Sequence, residues 1–426
     1  MKATRTVLAF AAVLTVGGLT ACSAVTSADA PTAQVVSEAS SGSLWDSLQV
    51  HDIQVTIADA DLQTLLETYA SSGEKIWVTA TVTIDGTTFE NVGIKLKGNS
   101  TLRGVSTESD PTTLPWLIRL DKYVDDQNYD GETELVVRGN NSETALNEAV
   151  ALDLLSVAGL ASEEAISSRF SVNGTATELR LVIQNPDDDW AEQEFGETGL
   201  LYKAEAGGDY SYRGEDPASY ADVFEQEAGD ENLQPLIDFL KFINESDDET
   251  FTAELGDHLD VASFATYLAF QDFVDNFDDI DGPGNNSYLR YDETTGLMTV
   301  VNWDLNLAFG VQNGGGGGAG NAGGMPAQGD NANRPQPGGG FGGAPGGGAA
   351  GGGARGGSNV LAQRFTELFP DEFAAAQTAL AQALVTSGAA QEVLDEWTSV
   401  LTEQASDLVP ASTVEDEASS IAAYFR

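Results

Sequence analysis

The segment from Asp272 to Gly310 constrains the fold of this chain more than any other part of the sequence. It contains an acidic loop, a short β-rich run, a Gly-containing turn and a second β-rich run that is expected to end at Asp304. Two such runs predict a β-hairpin, whose open ends lie side by side. We therefore expect Asn286, which precedes the first strand, to lie beside Asp304. An amide oxygen and a carboxylate at one place, with further acids upstream, suit a hard divalent cation.

The composition predicts a folded and strongly acidic protein. The chain has 426 residues, of which 41% are hydrophobic, and this is enough for one large core or two moderate ones. Its 67 acidic and 19 basic residues give a formal net charge of −48. Such a charge argues against nucleic acid or an anionic lipid surface as a partner, because like charges repel. It favours cations and a basic protein acceptor, although most of these acids form a solvated surface.

The first 22 residues have the features of a secretory signal. Lys2 and Arg5 precede an apolar run, which closes with Leu-Thr-Ala-Cys at residues 19–22 and resembles a bacterial lipobox. Cys22 is the only cysteine, so no intramolecular disulfide can form. We expect residues 1–22 to be a lipoprotein signal peptide. The lipid on Cys22 would then hold the mature protein on the extracytoplasmic face of the cell membrane. An ordinary signal peptide that happens to contain a cysteine is the alternative.

The rest of the chain divides by composition into four parts. Residues 23–43 are rich in Ala, Ser and Thr and predict a flexible tether. Residues 44–312 are first β-rich and then mainly helical, which predicts two lobes of one α+β domain. Residues 313–358 are dominated by Gly and predict a disordered insertion, either passive or a flap over the site. Residues 359–426 predict helices that pack back onto the same domain.

Local patterns predict the individual elements. A helix is expected to be capped by Ser142 and closed by Gly159, and Asp85-Gly86 is expected to form a hairpin turn. The other predicted helices cover 59–69, much of 217–275, and 360–409. The predicted strands are 51–57, 75–84, 88–96, 116–120, 134–137, 167–172, 178–183 and 199–202, followed by the hairpin described above.

Several short runs, in this order and spacing, resemble one protein family. They are LKGNS at 96–100, the run from 127 to 160, LLYKAE at 200–205, NFDDI at 276–280, NNSYLRYDETTGLM at 285–298 and WDLNLAFG at 303–310. Together they resemble the CotH kinase family, named after a spore-coat protein H, over roughly residues 55–310. The resemblance implies an atypical protein-kinase-like bilobal fold, with a β-rich N-lobe and a mainly helical C-lobe that carries a metal-site hairpin.

The resemblance also implies an activity and a set of residues for it. The family transfers the γ-phosphoryl group of ATP to Ser or Thr of a protein acceptor, which here is expected to be basic or Ser-rich. The metal is Mg²⁺ or Mn²⁺, with Ca²⁺ as an alternative. Asp278 resembles the catalytic Asp, and Asn286 and Asp304 resemble the metal ligands. On the nucleotide side, Glu148 is expected to form an ion pair with either Arg119 or Lys203.

Three departures from the family pattern lie on the N-lobe side. Arg119 is the first cation where the family carries Lys, and the two are not equivalent at a tight phosphate site. Asn147 precedes Glu148 where the family has Arg, and Gln184 replaces Glu. These departures leave a second function open, in which a catalytically degenerate surface lipoprotein keeps the fold and acts as a binding or structural protein. Transfer to a cell-wall or polysaccharide acceptor is a third.

Other functional readings have weaker support. His51 and His258 are the only histidines, and neither lies in a motif for a Ser-His-Asp triad or a zinc site. Both are therefore expected to be structural or exposed. By contrast, the acids Asp278, Asp279 and Asp281 repel one another unless a cation or solvent relieves them, which favours a functional site.

Overall fold

The β-rich half of the chain forms a closed seven-stranded barrel with the strand order β1-β2-β3-β4-β5-β7-β6. Neighbouring strands are antiparallel, except that β1 runs parallel to β6 where the barrel closes. This topology was not predicted from the sequence. The strands are β1 Val50–Ile57, β2 Val78–Ile84, β3 Thr87–Leu96, β4 Trp116–Arg119, β5 Glu134–Val137, β6 Ala165–Val172 and β7 Glu178–Gln184.

Alternating side chains fill the barrel. Along β1, Ile53, Val55 and Ile57 are buried at every second position, as expected when successive side chains point to opposite faces. The fully buried indole of Trp116 belongs to the same apolar cluster. Asp85 and Gly86 both have positive φ, 48° and 83°, so the predicted hairpin turn between β2 and β3 is confirmed.

A second sheet of four antiparallel strands has the order β11-β10-β8-β9. Its strands are β8 Leu200–Ala204, β9 Phe224–Ala228, β10 Ser287–Tyr291 and β11 Met298–Asn302. The predicted hairpin is formed by β10 and β11, although its second strand ends at Asn302, two residues before the predicted end. Strand β9 was missed because its sequence, FEQEA, has little β propensity. Its pairing with β8 is a tertiary effect.

The helices cover the barrel wall and the second sheet. Helix α2 packs between outward-facing barrel residues, such as Leu117 and Val136, and the C-terminal helices. A separate apolar cluster joins the second sheet to the helices from α4 to α8. The helices are α1 Asp59–Ser72, α2 Leu146–Val157, α3 Asp188–Phe195, α4 Gln234–Glu245, α5 Asp248–Glu254, α6 Val261–Phe273, α7 Val360–Leu368, α8 Pro370–Leu380, α9 Ala389–Gln404 and α10 Ala411–Ala422.

Helix α2 begins at Leu146, so the prediction of Ser142 as its N-cap was wrong. The hydroxyl oxygen of Ser142 instead accepts a hydrogen bond from the Ala145 amide at 2.9 Å, and Ala145 has a left-handed backbone with φ 56°. The cause is tertiary: the Glu417 carboxylate of α10 accepts from the Glu143 amide at 2.9 Å. The C-terminal prediction holds, since Gly159 has φ 79° directly after Ala158.

The structure is a computed structural model that describes residues 43–197, 199–282, 285–311 and 359–426. These residues belong to one compact unit, and their mixture of barrel, sheet and helices confirms the predicted α+β class. Inside these ranges, no helix combines the length and the hydropathy needed to cross a membrane. The predicted signal peptide with Cys22, the tether up to residue 42 and the Gly-rich insertion at 313–358 lie outside the described residues.

His51 fastens β1 to the turn between β2 and β3. Its Nδ1 lies 2.7 Å from Oδ2 of Asp85, and its Nε2 lies 3.2 Å from the carbonyl oxygen of Asp46. Burial opposes the imidazolium charge, but the Asp85 carboxylate outweighs burial and raises the pKa of His51 above its ordinary value. The imidazole therefore has the structural role expected from the sequence.

The raised pKa predicts a pH dependence of stability. The contribution of the His51–Asp85 pair is fully present below the ordinary pKa of His51 and is lost as the pH rises through its higher folded-state pKa. In urea unfolding between pH 5.5 and 8.5, His51→Gln should lower the free energy of unfolding by about 1–2 kcal/mol at the acid end. The same variant should also make the free energy of unfolding fall less steeply as the pH rises. Asp85→Asn, which keeps the turn, should flatten it equally, whereas an unchanged slope in both variants would contradict the assignment.

Candidate active site

The hairpin brings Asn286 and Asp304 together, as expected from the sequence. In its register Ser287 pairs with Asn302, so Asn286 lies opposite Trp303 and next to Asp304. Asp304 has a left-handed backbone with φ 64°, which turns the chain sharply after the strand. Its side chain is partly buried, at 24% exposure.

Asp278 joins the same group. Its backbone carbonyl oxygen accepts a hydrogen bond of 2.7 Å from Nδ2 of the Asn286 side chain. Burial and the nearby negative charge of Asp304 raise the pKa of the Asp278 carboxyl, while its hydrogen bond with Asn286 opposes this shift. The structure therefore places Asp278, Asn286 and Asp304 close enough to interact, and the two carboxylates repel each other.

The neighbouring acid Asp279 has a different role. Its Oδ1 accepts hydrogen bonds from the amides of Asp281 at 3.1 Å and Gly282 at 2.8 Å. Burial raises the pKa of this carboxyl to about 7. Asp279 therefore shapes the turn that follows Asp278, which is the local role typical of Asp in turns.

A buried arginine connects the acidic group to helix α2. Arg138, directly after β5, forms an ion pair of 2.8 Å with Oε1 of Glu148 and donates from Nε to Oε2 at 3.0 Å. The same guanidinium contacts Oδ1 of Asp304. One cation cannot neutralise two carboxylates, and burial raises the pKa of Glu148 to about 7, although Arg138 opposes this shift. Burial opposes the charge of Arg138, but the carboxylates of Asp304 and Glu148 outweigh burial and raise its pKa.

Three cations surround one indole beside this group. Lys97 Nζ, Arg138 Cζ and Lys203 Nζ lie 5.3, 5.7 and 5.8 Å from the ring centroid of Trp303, within the range of cation–π attraction. Trp303 is nearly buried and packs edge-to-face on Tyr288. These positions converge from β3, β5 and β8, so both sheets contribute a cation.

Lys97 is the least compensated of these cations. Its ammonium donates to Oδ1 of Asn185, which is a neutral partner, and Asn185 in turn donates to Glu134 at 2.7 Å. Burial, together with repulsion from Lys203, lowers the pKa of Lys97 to about 7. Lys203 pairs with Glu227 at 3.5 Å. A polyanion bound beside Trp303 would relieve the repulsion between the two lysines.

Arg119 pairs with acids other than Asp278, Asp304 and Glu148. Its guanidinium pairs with Asp121 at 2.7 Å and with Glu134 at 3.1 Å, and its side chain is 40% exposed. Its link to the indole runs through Glu134, Asn185 and Lys97. The partner of Glu148 is therefore Arg138, rather than the Arg119 or Lys203 named from the sequence.

Asn147, which stands where the family pattern has Arg, has a structural contact. Its Nδ2 donates to the carbonyl oxygen of Asn306 at 2.7 Å, and both residues are buried. Two consecutive residues of α2 thus hold the segment after β11. Asn147 bonds directly to Asn306, and Glu148 binds Arg138, which in turn contacts Asp304.

The donor set fits a divalent cation in composition. Across the described ranges, no three His, Cys, Asp or Glu side chains form a group that could hold a metal. The candidate ligands are instead the Asp304 carboxylate and the side-chain amide oxygen of Asn286, with the Asp278 carboxylate beside them. Mg²⁺ uses one or two carboxylates and completes its shell with water and phosphate oxygens. A cation there would also offset the repulsion that raises the pKa of Asp278.

Arg138 and Lys97 were missed as site residues from the sequence, although both lie in runs that resemble the family. The available signal was positional: Arg138 directly follows a fully apolar strand end, and Lys97 directly follows Leu96 at the end of β3. A cation at the end of a buried strand must find a partner at the sheet edge. The identity of that partner depends on barrel closure, which no local pattern encodes.

One known protein family matches most of this chain. The family model described as CotH kinase protein matches residues 94–400, which is more than half of the chain. The match begins near the end of β3, contains every residue of the site described above, and continues into α9. No curated protein matches the chain.

The Arg138 pair predicts a large effect on stability. Arg138→Met should lower the free energy of unfolding by about 3–5 kcal/mol, because it leaves Glu148 buried without its cation. Arg138→Met combined with Glu148→Leu should recover much of this loss, since no charge is then stranded. Arg169→Met, which breaks the exposed pair with Asp407, should cost at most about 1 kcal/mol. Urea unfolding measures all three, and equal losses for Arg138→Met and Arg169→Met would contradict the buried pair.

Proposed function

This chain belongs to the CotH kinase family, and we propose that it transfers the γ-phosphoryl group of ATP to Ser or Thr of a protein acceptor. One observation carries the proposal: three cations around Trp303 adjoin a group of two carboxylates and an amide. Phosphoryl transfer requires positioning and charge neutralisation more than covalent help. An arrangement of cations for phosphates beside oxygen ligands for Mg²⁺ or Mn²⁺ supports that chemistry better than any other.

Each residue has a role in this proposal. Lys97 and Lys203 offset the charge of the phosphates, while Arg138 holds Glu148 and Asp304 in place. Trp303 packs beside all three cations. Asn286 and Asp304 would hold a divalent cation, which would supply charge neutralisation at the transferred group. Asp278 orients the acceptor hydroxyl. The new bond joins that oxygen to the γ-phosphorus, the bond to the bridging oxygen of ADP breaks, and the proton of the hydroxyl passes to the Asp278 carboxylate.

We interpret the fold as a kinase-like arrangement of two lobes. The barrel and α2 supply Lys97, Arg138 and Glu148, while the second sheet and the acidic loop supply Lys203, Asn286, Asp304 and Asp278. The nucleotide would bind between these two groups. We also propose that the protein works on the extracytoplasmic face of the membrane, held by a lipid on Cys22. The support for this anchor is the sequence at residues 19–22.

A specific observation favours a second candidate, a catalytically silent member that binds a partner. Arg138 already contacts Oδ1 of Asp304, so a protein cation occupies part of the carboxylate that the metal would need. In such a member Arg138 would replace the metal and hold the same elements together. The silent protein would keep the fold and lose metal-dependent nucleotide binding.

The catalytic proposal predicts incorporation of phosphate that depends on Asp278 and Asp304. The protein beginning at Cys22, with γ-labelled ATP, Mg²⁺ or Mn²⁺ and a basic Ser-rich peptide, should label the peptide, and product mass should show one phosphate per modified Ser. Asp304→Asn and Asp278→Asn should lower the rate at least about 10²-fold. Asp407→Asn, a surface acid paired with Arg169, should leave it unchanged. No labelling by the unaltered protein, or equal labelling by Asp304→Asn, would refute the kinase.

The lowered pKa of Lys97 predicts proton uptake on nucleotide binding. At pH 7.5 much of Lys97 is neutral in the free protein, and the phosphates of ATP favour its ammonium form. Calorimetry in two buffers of different ionisation enthalpy should therefore show a fraction of a proton taken up per ATP. Affinity should fall as the pH rises above about 7. Lys97→Met should abolish this uptake and weaken binding about tenfold, whereas Lys241→Met, an exposed residue, should change neither.

The same titrations separate the two candidates. Metal-dependent ATP binding supports the kinase. Binding of neither supports the silent member in which Arg138 replaces the metal, and metal binding without ATP binding supports a silent member that uses the cation for structure.

A further inference from the structure

The lysines of this chain gather into one group. Five of the six lysines in the described residues are connected, because each shares an indole or a charge interaction with another: Lys75, Lys95, Lys97, Lys122 and Lys203. Lys97 and Lys203 belong to the site described above, and the other three come from β3 and from the loops beside β2 and β4. The chain has 67 acidic and 19 basic residues, so this concentration of positive charge contrasts with the rest of the protein.

Two of these lysines lie over a second tryptophan, Trp77. The Nζ atoms of Lys95 and Lys122 are 4.7 and 4.8 Å from its ring centroid, within the range of cation–π attraction. Trp77, directly before β2, lies opposite Lys95 in the β2–β3 register. Gly93 leaves room for the stem of Lys122, since a Cβ there would lie 2.5 Å from it. We call Trp77 with Lys75, Lys95 and Lys122 the Trp77 surface; Lys122 is exposed and the other three are partly exposed.

The lysines of the Trp77 surface lack carboxylate partners. Within the described ranges, ion pairs form at Lys203 and Lys241 but not at these three lysines. Lys75 donates instead to the neutral Oδ1 of Asn99 at 3.2 Å. In a chain with such an excess of acids, a lysine that serves only as a solvated surface group readily finds a carboxylate nearby. Three neighbouring lysines without one are therefore available to an external anion.

The acids near Lys75 do not offset its surroundings. Burial and the charges of Lys203 and Lys95 lower the pKa of Lys75, although Glu205 and Glu225 oppose this shift. The ammonium is therefore poorly compensated where it stands. An anion bound at this edge of the barrel would favour the charged form of Lys75 and reduce its repulsion with Lys95.

Exposed apolar side chains continue the Trp77 surface. Lys122 is followed by Tyr123 and Val124, which are 48% and 37% exposed. They are two of the four large apolar side chains that stand exposed in the described part of the chain. The exposed acids Asp125 and Asp126 follow them and end the surface. Aromatic and aliphatic groups beside lysines offer apolar contact and positive charge to the same partner.

We propose that the Trp77 surface, together with Tyr123 and Val124, docks an acidic segment of a partner protein. Carboxylates of the segment pair with the three lysines, and its apolar side chains pack against the exposed rings. A membrane or a nucleic acid duplex would bring its phosphates against the rest of a chain with a net charge of −48, whereas a short flexible segment covers only this surface. The contact lies outside the candidate phosphate and metal residues and is distinct from the Ser-rich acceptor peptide, so it does not depend on phosphate transfer.

Fluorescence anisotropy with two matched peptides tests this surface. One labelled peptide consists of Glu residues interrupted by Phe, and in the other Gln replaces every Glu. The protein beginning at Cys22 should bind the Glu peptide at least about tenfold more tightly, and added salt should weaken this binding. No binding, equal affinity for the two peptides, or tighter binding of duplex DNA or of phosphatidylglycerol vesicles than of the Glu peptide would overturn the proposal.

Variants at the lysines locate the contact. Lys95→Gln combined with Lys122→Gln should weaken binding of the Glu peptide at least about fivefold. Lys241→Gln, which removes the lysine of α4 that already has an ion pair, should leave the affinity unchanged. Unchanged affinity in the double variant would mean that the two lysines only cover the indole, and equal losses in the double variant and in Lys241→Gln would mean that the peptide senses overall charge. Either result would overturn the proposal.

Lysine acetylation gives a second readout that needs no variant. Bound Glu peptide should slow the acetylation of Lys95 and Lys122 at least about threefold, because the interface excludes solvent and reagent. Lys241 should react at its original rate. Mass spectrometry of the digested protein measures each site. Equal protection of all three lysines, or of none, would contradict docking at the Trp77 surface.

Discussion

The position of the Arg138 guanidinium determines how the rest of the site is arranged. It joins a barrel strand end to helix α2 through Glu148, and to the segment after β11 through Asp304. Removing three ionised groups from water is costly, so such a contact persists only where packing holds all of them in place. Helix α2 provides that packing, since it lies between the barrel wall and the C-terminal helices. Asn147, one residue earlier on the helix, adds a second attachment at Asn306. Two consecutive residues of one buried helix thus fix where the acidic group meets the barrel.

The local charge at this site is opposite to that of the whole chain. The formal net charge is −48, yet Lys97, Arg138 and Lys203 converge on the indole of Trp303. Long-range attraction to the rest of the protein does not compensate a poorly solvated ammonium, because solvent screens distant charges. What matters for Lys97 is its immediate surroundings: burial and the second lysine lower its pKa more than the nearby charges of Glu227 and Glu134 raise it. A strongly acidic protein can therefore hold a place that favours polyanions, and net charge alone is a poor guide to what binds there.

Prediction from sequence succeeded where the signal is local. The strands of the barrel, the Asp85-Gly86 turn, the β10–β11 hairpin and the meeting of Asn286 with Asp304 all follow from patterns within a few dozen residues. Prediction failed where contacts between segments distant in sequence determine the local structure. The start of α2 depends on Glu417, more than 200 residues away, and β9 exists because β8 offers it an edge. The partner of Glu148 is Arg138 rather than a neighbour on the helix, since barrel closure brings β5 against α2. The assignment to a CotH kinase family rested on the order of short runs, and the family match bears it out.

The end of β11 shows how closely different surroundings can be placed along one chain. Side chains of successive strand residues point to opposite faces, and the left-handed turn at Asp304 sends the third in another direction. As a result Asn302 contacts Gln271, Trp303 lies beside the cations, and Asp304 contacts Arg138. Because the backbone of a paired strand moves as a unit, a shift of Asn302 cannot leave Trp303 and Asp304 unmoved. A chain of buried amides, from Asn302 through Gln271 and Asn276, also reaches the backbone amide of Asp278. The end of β11 and the acidic loop are therefore connected by hydrogen bonds as well as by the strand itself.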